Sequence, residues 1–380
     1  MKLLNRVGKW IATGLLWLVC SCATPTQGPK VQGPIFYPKP PEAPRLQFLV
    51  SYSTWADVES GPGKFSSFIT GKTAASNLIF KPYGLALSRG SLYVCDSIVS
   101  AVQVLDLERR KARIFMPKDE GKLRSPINIS IDGDGTRYVA DTGRNQVLIF
   151  SPDEGYLGAI GKPRSVATAQ EPTRTLGGHG KAPVQMTDIK PTDVAIAGDR
   201  LYVADMDGHC VRVFDKANHQ QLFTIPRGAT NEQNRLIAPT NLALDPEGRV
   251  YVSDVGAFRV QLYDHEGGFL RSVGQVGDRP GEFARPKGVA VDRQGRLYVV
   301  DAAAQVVQIF DVEGKLLLFF GEPGASAAPL DLPAKVIIDY DHINLFQQYA
   351  APGFVLEYLV VVSNQLGDRK VSVYGYGQKR

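Results

Sequence analysis

The chain is 380 residues long, 44% hydrophobic and 21% charged, with 38 Gly and 25 Pro, the make-up of a turn-rich globular protein with ample core. Its formal charge of +5 includes Lys2, Arg6 and Lys9, which lie in a segment read below as removed; without those three the balance is +5 − 3 = +2. A charge so small and so scattered excludes nucleic acid as a partner.

Residues 1–22, MKLLNRVGKWIATGLLWLVCSC, begin basic and run into the apolar stretch Trp10–Val19. That stretch is too short to span a bilayer comfortably but has the length of a signal-peptide core. Its end, Val19-Cys20-Ser21-Cys22, resembles the lipobox of bacterial lipoproteins: an aliphatic residue, two small residues, then the cysteine that receives lipid. The resemblance implies a signal peptide over residues 1–21 and a fatty-acylated Cys22 that holds the chain to a membrane. Ala23 stands next in place of an Asp, which implies the outer membrane of a Gram-negative cell envelope. The other reading is an ordinary secretory signal in which Cys20 and Cys22 are incidental. Seven prolines and no periodicity make residues 22–44 a semi-rigid tether.

From residue 45 the chain repeats itself. Aligning on Tyr-Val-x-Asp gives five copies, ending at Asp96, Asp141, Asp205, Asp254 and Asp301. A large apolar residue follows nine positions later in each (Leu105, Phe150, Phe214, Tyr263, Phe310), and a proline precedes by 14 or 15 (Pro82, Pro126, Pro191, Pro239, Pro286). Within a copy, short runs such as Gly288–Asp292, Arg296–Asp301 and Val306–Asp311 alternate β-branched and aromatic residues between Gly and Asp turns, the pattern of tightly joined antiparallel strands. One such sheet cannot bury both faces and needs copies of itself as neighbours. A sixth, degraded copy opens at Pro333 and continues through Leu359–Asn364 and Lys370–Gly377, with an insertion over residues 342–358. Its outer strand is missing at the C-terminus, but Arg45–Ser53 resembles the outer strands of copies four and five, and PGKF at 62–65 follows it as PGEF at 280–283 follows copy four. The N-terminal strand is therefore expected to complete the last copy and close a ring, removing exposed edges.

The Pro-x-[GND]-[VIL]-Ala-[VIL]-Asp openings and Tyr-Val-x-Asp cores resemble the NHL-repeat family over roughly residues 45–377. The ending YAAPGF, EYLVVVSNQ, KVSVYGYG is similar to that of bacterial lipoproteins carrying six such units. The resemblance implies an all-β, six-bladed β-propeller (NHL/TolB-like) with four-stranded antiparallel blades over residues 45–380. The copies depart from the family at its Asn-His-Leu/Arg segment, with GRNQV, DGHCV and GAFRV, so fold transfers more readily than activity.

The five repeated Asp residues recur too regularly for a catalytic set; each is expected to cap backbone N–H groups at a turn. Cys95 and Cys210 lie in blades that are not neighbours and read as small hydrophobes rather than a disulfide. His179, His209, His219, His265 and His342 show no metal-protease spacing and are expected as solvated turn residues. The insertion at 162–186 contains LGGHGKA, which lacks the first glycine and the hydroxyl residue of a phosphate loop.

The best site candidate comes from geometry. The residue two after each opening proline starts the innermost strand and should meet the ring axis: Gly84, Asn128, Asp193, Asn241, Gly288 and Lys335. Asn128, Asp193 and Asn241 offer oxygen ligands that suit Ca²⁺, as in lactonase-like propellers, while Lys335 is placed to bring an ammonium into the same ring. A polar, water-filled channel with no cofactor is the simpler expectation. In the insertion at 342–358, Phe346, Tyr349 and Phe354 are either a partner-binding surface or packing for the last blade. Without a recognisable base or nucleophile beside these groups, a non-catalytic scaffold for a protein or glycan partner in the envelope is the favoured reading. The alternative is a metal-dependent lactonase-like, esterase-like or amidating-lyase-like enzyme.

Overall fold

The computed structural model describes residues 33–59, 78–163, 188–321 and 328–379. The signal peptide, Cys22, His179, Pro62–Phe65 and nearly all of the 162–186 insertion lie outside the described residues.

Each of the five regular copies forms one four-stranded antiparallel sheet with its strands in sequence order. The innermost strands, Pro82–Ser88, Pro126–Ile131, Pro191–Ala197, Pro239–Leu244, Pro286–Val291 and Pro333–Asp339, contact their neighbours in a closed circuit from blade 1 to blade 6 and back. The sixth sheet combines both ends of the chain: Leu46–Tyr52 pairs with Val371–Lys379, which pairs with Phe354–Asn364 and then Pro333–Asp339. The N-terminal strand thus closes the ring, as its sequence had indicated.

The core consists of six apolar wedges, one between each pair of adjacent blades. Period-two alternation makes this possible. In blade 1, Leu92 and Val94 face blade 6 while Tyr93 and Cys95 face blade 2, so one strand serves two wedges. Tyr202, Phe214, Tyr263, Tyr298 and Phe310 are fully buried this way, each worth roughly 1.5–3 kcal/mol of transfer free energy.

Two boundaries differ from the sequence reading. The compact unit begins at Gly33: Phe36–Tyr37 adds a fifth strand outside Leu46–Tyr52, and Tyr37 packs on Phe320 and Tyr374. An aromatic pair among the prolines of the tether carried that signal. The insertion in blade 6 is also shorter than 342–358. It forms a helical turn, Ile343–Phe346, and a 3₁₀ turn, Gln347–Tyr349, after which Phe354–Tyr358 already extends the second strand.

Candidate functional site

Every inner strand begins irregularly, with its register against the second strand slipping just after the opening proline. Proline contributes no N–H to the ladder. The slip frees the residue two positions on to turn from the sheet toward the axis. Asn128, Asp193 and Asn241 are buried there at 0%, 1% and 0% exposure, and Lys335 at 7%. A Cβ on Gly84 would lie 2.5 Å from Asn128 Cα, and one on Gly288 would lie 2.6 Å from Lys335 Cα. Only glycine permits blade 1 to approach blade 2, and blade 5 to approach blade 6, so closely.

These side chains form one network. Asp193 Oδ1 accepts the Val194 N–H at 2.9 Å; Oδ2 accepts the Leu242 N–H at 2.9 Å and the Asn241 amide at 3.3 Å. The Lys335 ammonium crosses the axis to the same Oδ2 in a close ion pair. Asn128 donates to Thr192 O at 2.7 Å. The amide oxygens of Asn128 and Asn241 are buried without a donor. These positions carry a bridged ion pair rather than an open set of oxygens. Among the described residues, no three His, Cys, Asp or Glu side chains gather in a metal-binding group. Beyond the pair, toward the strand ends, the axis widens into a cavity of about 300 Å³ lined by all six inner strands, with Lys335 among its lining residues.

The repeated Asp residues are buried backbone clamps. Asp96 takes the N–H groups of Phe80, Lys81 and Ile98; Asp141 those of Arg124, Ser125 and Arg144. Asp205 takes Lys190 and Gly208, Asp254 takes Ile237 and Ala238, and Asp301 takes Ala284, Arg285, Ala303 and Ala304. Every one of these carboxylates fastens the segment entering the blade, and all but that of Asp254 also fasten their own turn; the hold on the incoming segment is a role that spacing alone did not reveal. In blade 6 the equivalent residue is Asn364, whose amide holds Arg369 O instead.

Other expectations change. His219 is buried, and burial lowers its pKa. His342 is tied down as well: Nε2 accepts the Gly90 N–H and Nδ1 meets Asp339 Oδ2, both at 2.9 Å. His209 and His265 do sit on exposed turns. Phe346 and Phe354 are each 2% exposed and belong to the wedge between blades 6 and 1, so they cannot offer a surface to a partner. Phe346 is folded in by the helical turn, and Phe354 opens the second strand and packs on Phe36. Tyr349 alone is half-exposed and lines a cleft of about 280 Å³ with Tyr52, Asp57 and Arg110. Cys95 and Cys210 are free thiols, and burial raises both, Cys210 to about 11.

Sequence reasoning missed a polar cluster between blades 5 and 6. Arg296 bonds Asp292, Tyr358 and Tyr376 and lies 4.4 Å from the Tyr376 ring centroid, while Tyr298 and Tyr358 share a hydroxyl contact of 2.7 Å. Of its residues only Tyr298 lies in a repeated Tyr-Val-x-Asp core.

A family model described as a 6-bladed beta-propeller matches residues 229–367. No curated protein matches the chain. Among solved structures, a gluconolactonase from Xanthomonas campestris is similar with 13% identity and a TM-score of 0.53, over 91% of this chain and 98% of that one. A protein from Bacteroides thetaiotaomicron shares 15% identity with a TM-score of 0.55, over 87% and 75%. A streptogramin B lyase shares 12% with a TM-score of 0.50, over 78% and 93%. At these identities the likeness concerns architecture, and together with the closed circuit of six sheets it identifies the chain as a six-bladed β-propeller.

Proposed function

We propose that this propeller is a non-catalytic binding module, tethered to the bacterial cell envelope through Cys22 and engaging a protein or glycan partner. The observation that supports this most is the Lys335 ammonium on Asp193. It neutralises the one carboxylate at the axial ring and occupies the charge-balancing position a metal would need. The five clamp carboxylates are likewise engaged by backbone N–H groups, so among the described residues neither they nor Asp193 stand as a free base.

The metal-dependent enzyme draws support from the two donorless amide oxygens of Asn128 and Asn241, which with Asp193 make an oxygen-rich floor. With Lys335 seated, that floor does not fit a divalent cation, because the ammonium already supplies the positive charge. The deciding measurement is a thermal melt of the purified chain with Ca²⁺ and with chelator, on wild type and Lys335→Ala. The binding-module reading expects no metal-dependent shift in wild type. A stoichiometric Ca²⁺ in wild type, with lactone or ester turnover lost in Asp193→Asn, would overturn it. Cross-linking in intact envelopes then identifies the partner.

A further inference from the structure

Blades 6 and 1 meet at a cleft built largely from residues outside the repeat. One side is the helical turn Trp55–Glu59, another the pair of turns Ile343–Phe346 and Gln347–Tyr349, and the third the loop of residues 107–110 in blade 1. Its volume of about 280 Å³ lies near the lower end of ligand pockets, about 300–1,000 Å³, and suits a single ring. The floor is apolar, made by Val58, Leu107, Leu345 and Phe346. The polar groups around it are fixed in place. Asp57 Oδ2 accepts the N–H groups of Ser53 and Thr54, both at 2.7 Å, while Oδ1 takes no hydrogen bond among the described residues. The backbone of Tyr349 is pinned by Gln47, which donates to the Tyr349 carbonyl at 3.2 Å and accepts the Ala351 N–H at 2.9 Å. The Tyr349 ring packs on Phe346 with centroids 6.3 Å apart. Arg110 is exposed at the rim and forms no ion pair among the described residues. Its φ is 54°, a left-handed backbone that the corresponding turns of blades 4 and 5 give to Gly267 and Gly314. A side chain is disfavoured there, and this one brings a guanidinium to the cleft.

An occupant has to answer three kinds of group at once. Asp57 takes hydroxyl or amine donors, Arg110 donates to oxygens, and the phenols of Tyr52 and Tyr349, kept neutral by burial, donate as well. The Tyr349 ring and the floor take C–H surface, which the negative face of an aromatic ring attracts. A sugar ring carries all three complements: hydroxyls that donate, hydroxyls that accept, and a C–H face. A simple anion leaves Asp57 unanswered, and an apolar molecule leaves both charges unanswered. We propose that this cleft binds one ring of a neutral saccharide, with Tyr349 on its C–H face and Asp57 and Arg110 on its hydroxyls. Asp57 and Glu108 both line the cleft and repel an acidic sugar. The proposal rests on the binding-module reading and names the glycan as its partner. The cleft lies at the outer seam of the ring, so a chain that binds no sugar yet cross-links to an envelope protein removes this assignment and leaves the module reading standing.

An array of immobilised neutral and acidic oligosaccharides, probed with the full chain, tests the site, followed by calorimetric titration with the neutral sugar that binds best. Neutral sugars are expected to bind and acidic ones to bind more weakly. Trp55 opens the helical turn beside the cleft, so its fluorescence is expected to change with the same midpoint. Arg110→Gly suits the left-handed backbone and leaves the fold intact; losing the guanidinium is expected to weaken binding by about tenfold. Asp57→Asn keeps an oxygen for the Ser53 and Thr54 N–H groups, and it is also expected to weaken binding by about tenfold. Tyr349→Ala is expected to weaken it at least as much. No neutral sugar bound by wild type, a preference for acidic sugars, or all three variants binding as wild type does, overturns the proposal.

Discussion

Asp193 and Lys335 differ in what each keeps when its partner is removed. Lys335→Met takes the ammonium away, yet the carboxylate retains the N–H groups of Val194 and Leu242 at 2.9 Å and the Asn241 amide at 3.3 Å. Three donors hold much of a buried carboxylate's charge, so the expected loss is about 1–3 kcal/mol. Asp193→Asn is nearly isosteric but leaves an ammonium, with a side chain 9% exposed, facing a neutral amide and no other acceptor. Breaking a buried pair in this way costs about 3–5 kcal/mol. The difference of about 2 kcal/mol corresponds to a factor of up to about 30 in the folded-to-unfolded ratio. Urea unfolding followed by circular dichroism measures it as a larger fall in midpoint for Asp193→Asn at unchanged slope. The double variant should be more stable than Asp193→Asn alone, because removing the ammonium removes the stranded charge. Lys335→Met costing as much as Asp193→Asn, or strictly additive losses, would refute the account of the pair.

Gly288→Ala places a Cβ 2.6 Å from Lys335 Cα and 2.7 Å from Val336 N, both backbone atoms; it should destabilise by about 3 kcal/mol or more in the same assay, whereas Gly133→Ala, with nothing within 4 Å, should stay within about 0.5 kcal/mol. Asp301→Ala strands four backbone N–H groups and Asp254→Ala two, so the first should cost about 4 kcal/mol and the second about 2. Burial lowers the folded-state pKa of His219 below its ordinary 6.5, so the unfolded chain binds more protons there; stability is full above pH 6.5 and falls as pH drops below it, and His219→Gln should flatten that slope. Cys22→Ser should abolish incorporation of a labelled fatty acid in growing bacteria, and retained label would remove the anchor from the proposal.

The architecture was legible because it is written several times over. Each blade must repeat the same turn, the same alternation and the same opening proline, so any single copy could be misread without changing the sum. The two misplaced boundaries both fall where repetition stops, at Phe36–Tyr37 and in the 342–358 insertion, where tertiary packing decides alone. The Asp clamps were legible as structural residues by the same recurrence, though their hold on the incoming segment is a contact across the blade that spacing does not encode.

The axial site needed one further step that the sequence does contain. In a closed six-membered ring, blade n faces blade n + 3, so the six positions fall into three opposed pairs: Gly84 with Asn241, Asn128 with Gly288, and Asp193 with Lys335. The only two formal charges at this position, of opposite sign, thus stand across the axis from each other, and a glycine stands opposite each asparagine. Taking the residues as three neighbouring oxygens in blades 2, 3 and 4 suggests a cation site; taking them as diameters gives the ion pair the structure contains. What the repeats specify is the ring; what a ring does at its axis follows from which residues break the repeat, and here those are Asp193 and Lys335.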